Sequence, residues 1–385
     1  MSKIQTIQPK FDSELVQVLF NLEGMRNRPM EGSTPPWIFY DVKEIIHLVE
    51  SLASARIEGN KTTLVSAAQD QAQTGKKNVD EAFKEVDAIR AAIIFVEEYI
   101  LSGEKIDEAF IREIHKITTQ NLKPQNNNIP GSYRIAPVKI SKTKVVTAHP
   151  AEISARMKEL IDFINDTTES RNAIIKIAIV HHVFTVIHPF ADGNGRTARL
   201  ITYAMLLSRG FMSYGELRTL NPPSIFGTDR DIYFDMLKQA DSGTENGIEK
   251  WCLFVAKGIE KELEKMNKLL NKDYVVKNII RPVLDECRSE KLISQIDYEI
   301  LKIAIEKDVI QRRDVEHLFG TTGSAKTAAS REFKKMKDAR LLMVLPNDSK
   351  KNVMRFSNNM LLPKIISKMD EKGLLPVFHS SETES

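Results

Sequence analysis

Apolar residues at helical spacing dominate the first two-thirds of this 385-residue chain. They recur every three or four positions from Asp41 to Glu58, and Gly59 and Asn60 then end the pattern. Comparable patterns predict helices over residues 79–101, 107–119, 151–165, 172–186, 196–208, 231–239 and 247–271. Residues 1–40 contain several prolines and no such pattern, so we expect them to be irregular. The spacing therefore predicts a mainly α fold.

Two segments depart from the helical pattern. Residues 134–150, RIAPVKISKTKVVTAHP, are rich in β-branched residues around a polar centre, which predicts a β-hairpin. After Lys272, short helices near 296–307 and 311–318 precede a basic helix and then two strands around the turn PNDSKK. That order is typical of a winged helix-turn-helix.

The composition limits the class of protein that the chain can form. A hydrophobic fraction of 42% excludes a wholly disordered chain, and a net charge of +3 excludes a polybasic or polyacidic coat. Two cysteines, Cys252 and Cys287, are too few for a disulfide framework or a thiolate metal site. No segment resembles a signal peptide or a membrane span, so we expect a cytoplasmic protein without a membrane partner.

The most informative segment is HPFADGNGRTAR, residues 188–199, which lies between two apolar helical patterns. Gly193 and Gly195 allow successive backbone N–H groups to converge at the start of a helix, whose positive end favours anions. Arg196 and Arg199 follow on one face of the first helical turn, where both can bind phosphate oxygens. This arrangement predicts a phosphate-binding site.

Two further side chains add chemistry to that site. Asp192 precedes the glycines and suits Mg²⁺, which favours a carboxylate together with phosphate oxygens. His188 is a base that titrates near neutral pH. Together they predict a triphosphate site with its own base. A glycine-rich turn with His188 packed in the core would explain neither the two arginines nor the acid.

This segment resembles the signature of the Fic family, His-x-Phe-x-(Asp/Glu)-Gly-Asn-Gly-Arg-x-x-Arg, at every fixed position. Family members are mainly helical enzymes that usually transfer AMP from ATP to a Ser, Thr or Tyr hydroxyl of a protein. The resemblance implies that His188 is the general base, that Phe190 anchors the loop and that Asp192 binds Mg²⁺. It also implies nucleotide contacts from Asp192, Gly193, Asn194, Gly195, Arg196, Thr197, Ala198 and Arg199.

Similar resemblances extend the site on both sides of the loop. Gly131–Arg134 and Val138 resemble the family's lead-in to the hairpin. Val145, Val146 and Thr147 would then belong to the flap that aligns the target. Tyr233 and Asp241 resemble the segment that lines the nucleoside pocket, although relatives often carry Asn at the position of Asp241.

Ser54, Glu58 and Gly59 resemble the family's inhibitory motif, which here precedes the catalytic loop. Ser54 and Glu58 share a helix face, and Gly59 ends the helix so that the carboxylate projects. A pair between Glu58 and Arg199 would withdraw that arginine from the γ-phosphate. Two other interpretations stay open: a solvated glutamate at a helix end, and a glutamate that positions water to remove AMP.

The sequence thus predicts a self-inhibited protein adenylyltransferase that uses ATP and Mg²⁺, acts on a target protein and could form a homodimer. The implied fold is a mainly α Fic core with a small β-hairpin flap, followed by a winged helix. Its predicted regions are a helical part with the inhibitory helix (1–100), a Fic catalytic domain (101–275), a winged helix (276–360) and a C-terminal tail (361–385). The alternatives are a nucleotide-sensing transcription regulator without transferase activity, and an enzyme that uses another phosphate-linked donor.

The winged helix predicts a contact with DNA or with protein. Residues 277–358 hold 17 basic and 12 acidic residues, a local excess that the whole-chain charge hides. The basic residues that crowd its last helix are Lys326, Arg331, Lys334, Lys335, Lys337 and Arg340. Such a face can bind a phosphate backbone or can simply be solvated.

Overall fold

A computed structural model describes residues 4, 6–26, 33–72, 80–123, 128–139, 146–166, 173–211, 224–227, 229–320 and 324–375. In the first two-thirds it contains helices α1 (Glu14–Arg26), α2 (Pro36–Ile57), α3 (Leu64–Ala72), α4 (Glu81–Leu101), α5 (Glu108–Thr119), α6 (Ile153–Asn165), α7 (Ala173–Ile187), α8 (Asn194–Ser208), α9 (Ser224–Gly227), α10 (Arg230–Asp241) and α11 (Glu245–Leu269). The predicted mainly α fold is confirmed. No helix in this part of the chain, or in the rest that is described, is long and apolar enough to cross a membrane.

Helices α7 and α8 form the centre of the helical bundle. Both are buried along nearly their whole length, and α4, α5, α6 and α11 pack around them. Trp251 of α11 is fully buried, and its indole nitrogen donates a hydrogen bond to the carbonyl of Ala178 at 2.7 Å. The loop that joins α7 to α8 is therefore held at both ends by rigid elements.

The prediction that residues 1–40 are irregular is wrong in two places. Helix α1 packs on α11 through Leu15, Val18 and Leu22, a short stripe in an otherwise weakly patterned segment. Helix α2 begins at Pro36, because proline fits the first helical position, where an N–H group has no partner in the helix. The buried Trp37 follows it at once.

Residues 134–139 and 146–150 form the two arms of the predicted hairpin. The hydroxyl of Thr147 donates to the carbonyl of Val138 at 2.8 Å, so the arms lie side by side. Neither described arm forms a strand. Val145 and the rest of 140–145 lie outside the described residues.

The C-terminal module has the predicted order of a winged helix-turn-helix. Its helices α14 (Gln295–Lys307) and α15 (Ala325–Asp338) precede the antiparallel strands β1 (Leu342–Leu345) and β2 (Asp348–Met354). The strands pair Leu342 with Met354, and a bridge from Ile310 to Asn352 extends the small sheet. Among the described residues, β1 and β2 are the two strands that pair as a hairpin.

Two boundaries of the C-terminal half differ from the prediction. Helix α12 (Lys272–Val275), a π-helical turn (Val276–Ile280) and α13 (Arg281–Ser289) run without a gap through the expected domain boundary at 275/276. The assignment of 361–375 to a tail is wrong, because α16 (Leu362–Glu371) buries an apolar stripe against α3 and α13. Residues 376–385 lie outside the described part of the chain.

The winged helix is docked on α2. Asp41 is fully buried there, and it accepts hydrogen bonds from the backbone N–H groups of Phe356 and Ser357 at 2.5 and 3.3 Å. The Ser357 hydroxyl donates to the same carboxylate at 2.8 Å, and Arg355 forms an ion pair with it. The segment after β2 is thus fixed to the first turns of the helix that carries Glu58 at its other end.

Candidate active site

A cavity of about 320 Å³ lies where the α7–α8 loop meets the C-terminal end of α2 and helix α10. The predicted site residues that line it are Glu58, His188, Asp192, Gly193, Asn194, Gly195, Arg199, Tyr233 and Asp241. The fold therefore gathers residues that are up to 183 positions apart in sequence around one opening. Arg196, Thr197 and Ala198 do not line this cavity.

His188 follows the last turn of α7 and presents one ring nitrogen to the cavity. Its Nδ1 lies 3.2 Å from the carbonyl of Thr185, so Nδ1 carries the proton and Nε2 keeps a lone pair. Burial lowers the pKa of His188, which keeps the ring neutral and able to accept a proton. Its backbone φ of 52° is left-handed, a conformation that costs a non-glycine residue about 1–3 kcal/mol.

The start of α8 forms the predicted anion nest. Gly193 has a φ of 77°, and a Cβ there would lie 2.9 Å from Thr119 Cγ2, so both conformation and space require glycine. The Asn194 side chain is committed to the loop, because it accepts from Phe190 N and donates to Phe190 O, both at 2.9 Å. Asn194 thus shapes the loop with its side chain, which leaves backbone N–H groups as the donors for an anion.

His115 of α5 contacts the loop, and nothing in the sequence beyond its residue type indicates this contact. Its Nδ1 accepts from Gly131 N at 2.9 Å, and its Nε2 donates to the carbonyl of Asp192 at 2.9 Å. The ring stacks on Phe190 with 3.7 Å between centroids. Burial lowers the pKa of His115 to about 4, so it stays neutral and keeps both hydrogen bonds at physiological pH.

The inhibitory motif contacts the last arginine of the loop directly. Arg199 donates from Nε to the Ser54 hydroxyl at 2.9 Å and from Nη2 to the Ser54 carbonyl at 3.0 Å. Nη2 also pairs with Glu58 Oε1 at 2.9 Å. Burial alone would raise the pKa of Glu58, but the Arg199 guanidinium and then Arg196 outweigh it and lower the pKa. Glu58 is therefore ionised and forms an ion pair with Arg199.

Arg196 has different partners from those predicted. Its guanidinium pairs with Glu85 of α4 at 3.0 Å and with Asp192 at 3.2 Å. Only 5% of its side chain is exposed, because α4 covers it. Thr197 and Ala198 are fully buried in the first turn of α8, with the Thr197 hydroxyl donating to Gly193 O. Helical geometry turns these side chains toward α4 and α5, away from the cavity.

Tyr233 and Asp241 of α10 line the same cavity as the loop. Tyr233 lies 2.9 Å from His181 Nε2, and burial raises the pKa of its hydroxyl to about 12. Asp241 accepts from His182 Nε2 at 2.9 Å. Val138, named in the lead-in to the hairpin, also lines the cavity, and lining residues that the sequence did not reveal are Ile57, Lys139, Arg230, Phe234, Leu237 and Lys238. Of the flap residues, Val146 is 87% exposed and Thr147 is partly buried.

Asp192 is the one carboxylate of the loop that could hold Mg²⁺. Its side chain is 30% exposed and lines the cavity beside Gly193 and Gly195. Among the described residues no cluster of three or more His, Cys, Asp or Glu could hold a metal by itself. This fits Mg²⁺ better than zinc, since Mg²⁺ keeps several waters and binds through one or two carboxylates and substrate phosphates.

Comparison with known proteins agrees with this geometry. A family model described as "Fic/DOC family" matches residues 105–206, which include the loop and the helices on both sides of it. Residues 105–206 are therefore similar to the Fic/DOC family.

Curated relatives carry the same domain. The chain is 30% identical over 218 residues to "Protein adenylyltransferase Fic" of Nematostella vectensis, covering 55% of this chain and 46% of that protein. It is 29% identical over 187 residues to "Protein adenylyltransferase fic-1" of Caenorhabditis elegans, covering 47% of this chain and 33% of that protein. The chain thus spans less than half the length of each of these relatives.

A solved structure shares the fold over most of the chain. A Fic family protein from Desulfovibrio desulfuricans superposes with a TM-score of 0.54 at 17% identity, covering 94% of this chain and all of that one. At that identity the likeness concerns the fold alone.

Proposed function

We propose that the chain is a protein adenylyltransferase that moves AMP from ATP to a hydroxyl group of a target protein. The observation that carries this proposal is the position of His188, whose Nε2 lone pair faces a cavity that also holds the amides of Gly193 and Gly195 and the guanidinium of Arg199. A base next to an anion site suits attack of a hydroxyl on a phosphate. The names of the curated relatives support it.

The reaction assigns a role to each side of the cavity. The target hydroxyl oxygen bonds to the α-phosphorus while Nε2 of His188 takes its proton. The bond between the α-phosphorus and its bridging oxygen breaks, and pyrophosphate leaves with that oxygen. The amides at the start of α8 and the Arg199 guanidinium bind the phosphates. Mg²⁺ held by Asp192 would neutralise phosphate charge, and the α10 wall would receive the nucleoside.

Glu58 acts as an inhibitor in this scheme because it occupies the arginine that the γ-phosphate needs. A charge-assisted hydrogen bond of this kind contributes about 1.5–3 kcal/mol. ATP must displace it, so productive binding falls by roughly ten- to a hundredfold. The Nη1 atom of Arg199 makes no hydrogen bond to any described residue, so part of the group remains available to a ligand.

Removal of the carboxylate tests the proposal. We expect Glu58→Gly to raise AMP transfer to protein by roughly ten- to a hundredfold, measured with labelled ATP and by mass spectrometry of a lysate. Glu104→Gly, an exposed loop glutamate, should leave the rate unchanged. If Glu58→Gly transfers no AMP to any protein, the proposed reaction is wrong.

Removal of the base tests its assignment. In the Glu58→Gly background, His188→Ala should lower AMP transfer by at least about 100-fold, because the hydroxyl loses its proton acceptor. Binding of a non-hydrolysable ATP analogue, measured by calorimetry, should persist. Retained automodification would contradict the role of His188.

The alternative of a nucleotide sensor without transferase activity is not favoured. A sensor needs no base, whereas His188 is held with a lone pair toward the phosphate site. Removal of AMP by water positioned at Glu58 stays a second reaction that the same cavity could perform. Incubation of an AMP-modified target with the parent chain would measure it.

The winged helix supplies the proposed contact with DNA or protein. Lys326, Arg331, Lys334 and Lys337 are exposed on α15 and pair with no carboxylate of the described chain. Binding of duplex DNA that weakens steeply with salt would assign the face to DNA, and no binding at low salt would exclude DNA. A cytoplasmic location and a homodimer remain predictions from the sequence.

A further inference from the structure

Arg134 links the catalytic loop to both arms of the flap. Its Nε donates to the carbonyl of His188 at 2.7 Å, and its Nη2 donates to Ala148 O at 2.5 Å and to Ile187 O at 3.4 Å. Nη1 donates to Ala136 O at 2.9 Å. The backbone N–H of Arg134 donates to Pro189 O at 2.9 Å. One residue thus makes five hydrogen bonds, all of them to main-chain carbonyls.

The partners of Arg134 are unusual for a buried cation. The residue is 5% exposed, and no carboxylate among the described residues pairs with it. A buried charge without an opposite charge is costly unless all its donors are satisfied. Four carbonyl oxygens accept from the guanidinium here, and their positions around it match its planar fork. The three donors of a lysine ammonium radiate from one point and cannot reach the same set.

The bond to His188 is made at the strained point of the site. His188 has a φ of 52°, which takes its backbone out of the helical conformation. Its carbonyl oxygen accepts a hydrogen bond from Arg134 Nε. The same guanidinium ties the chain on each side of the flap, at Ala136 and Ala148, to that carbonyl. The base and the segment beside it are therefore fixed to one rigid group.

We propose that Arg134 is a positioning residue for AMP transfer: it holds the left-handed backbone of His188 and keeps both flap arms in register with it. The inference rests on the proposed function. Because Arg134 does not line the cavity, it acts through His188 and the flap rather than on the nucleotide. Its loss should lower kcat and leave ATP binding largely intact.

The charge of Arg134 has a separate effect on the base. Burial lowers the pKa of His188; the Thr185 carbonyl raises it, Arg134 lowers it, and Glu58 and Asp192 raise it. A neutral variant at position 134 should therefore raise the pKa of His188, whereas a lysine should not. Since the base works in its neutral form, a higher pKa moves the acid limb of the pH–rate profile to higher pH.

Two variants in the Glu58→Gly background separate geometry from charge. Arg134→Lys keeps the positive charge but loses the planar guanidinium, and Arg134→Gln loses both. We expect kcat to fall roughly ten- to a hundredfold in both, with the KM for ATP within about threefold of the parent. The acid limb should move only in Arg134→Gln. Arg209→Gln is the matched control, because Arg209 donates to the Ile164 carbonyl at the far end of α8.

Amide hydrogen exchange tests the inference without catalysis. Peptides that cover 146–149 and 185–189 should exchange faster in both Arg134 variants and not in Arg209→Gln. Unchanged exchange, a kcat within threefold of the parent, or a loss equal to that of Arg209→Gln would overturn the inference. If Glu58→Gly itself transfers no AMP, the proposed function fails and the exchange result still decides the role of Arg134.

Discussion

At the scale of single residues, the site depends on which atoms are left without a partner. His188 Nδ1 and two nitrogens of Arg199 are committed to described neighbours, while His188 Nε2 and Arg199 Nη1 are not. Buried polar atoms are almost always hydrogen-bonded, so unpaired ones in a cavity indicate where a ligand belongs. Both residues line the cavity that also contains Gly193 and Gly195.

Gly195 gives a prediction at this scale. A Cβ there would collide with Glu58 Oε1, although Gly195 lies in the first turn of α8, where alanine is otherwise preferred. We expect Gly195→Ala to lower the free energy of unfolding by about 1 kcal/mol in the parent, because it breaks the Glu58–Arg199 pair. In the Glu58→Gly background the same change should stabilise by about 0.5 kcal/mol.

Urea unfolding of the four proteins measures this change of sign. Gly24→Ala is the control, since Gly24 lies in α1 with no atom within 4 Å of its Cβ position. It should stabilise both backgrounds equally. An equal effect of Gly195→Ala in the two backgrounds would show that Glu58 does not approach the loop.

At the scale of elements, α2 is linked by hydrogen bonds to α4 and, through α4, to α8. Glu97 of α4 accepts from Lys43 Nζ at 2.5 Å and His47 Nε2 at 3.0 Å, both on α2. The hydroxyl of Tyr203, on α8, donates to the same carboxylate at 2.7 Å. One buried carboxylate therefore joins α2 to α8, the helix whose first turn contains Gly195.

Glu97 makes stability depend on pH. Burial would raise the pKa of Glu97, but the hydrogen bonds and charges of His47 and Lys43 outweigh it and lower the pKa to about 2. Because the folded value lies below the unfolded value of 4.5, this stabilisation is complete above pH 4.5 and is lost as the pH falls toward 2. We expect the parent to lose about 3 kcal/mol more than Glu97→Gln over that range.

Urea unfolding at a series of pH values measures the difference between parent and variant. Glu98→Gln changes an exposed carboxyl at the next position of α4 and should follow the parent. If Glu97→Gln loses as much stability in acid as the parent, the carboxylate is not the group responsible.

Elements and site residues were predictable where the signal was local. The loop 188–199 and the motif at Ser54 and Glu58 are contiguous patterns, and the spacing of apolar residues gave most helices within a few positions. His115 and Glu85 contact the loop only because α5 and α4 fold against α8. No local pattern of residues in the sequence indicates these tertiary contacts. The weak apolar pattern of α1 hides that helix, whereas the regular stripe of α16 (Leu362, Ile365, Ile366 and Met369) is a local signal that the assignment to a tail misses.

At the scale of the whole molecule, the winged helix and α2 meet at a buried charge. The Asp41 side chain is fully buried, and the Arg355 side chain is 19% exposed. Ser357 Oγ also lies 2.7 Å from Glu44 Oε2, one turn along α2, so its single proton is shared between the two carboxylates. The module that could bind a partner is thus attached to the inhibitory helix rather than to the catalytic loop.

Removal of one member of the Asp41–Arg355 pair should lower the free energy of unfolding substantially. We expect Arg355→Met to lower the free energy of unfolding by about 3 kcal/mol, because Asp41 stays buried without a counter-charge. Adding Asp41→Asn should restore part of the loss. Arg281→Met breaks an exposed pair with Glu306 and should cost less than about 1 kcal/mol. Equal effects of Arg355→Met and Arg281→Met in thermal or urea unfolding would contradict the importance of the joint.

The positions of the two tryptophans have an optical consequence. Trp37 begins α2 beside the Asp41 joint, and Trp251 is enclosed in the centre of the bundle with its indole nitrogen bonded to a carbonyl. Emission from Trp251 is a constant background. Emission from Trp37 shifts to longer wavelength when the N-terminal end of α2 becomes exposed to water. Trp37 therefore reports on the joint between α2 and the winged helix, and opening of that joint can be followed in real time without a label.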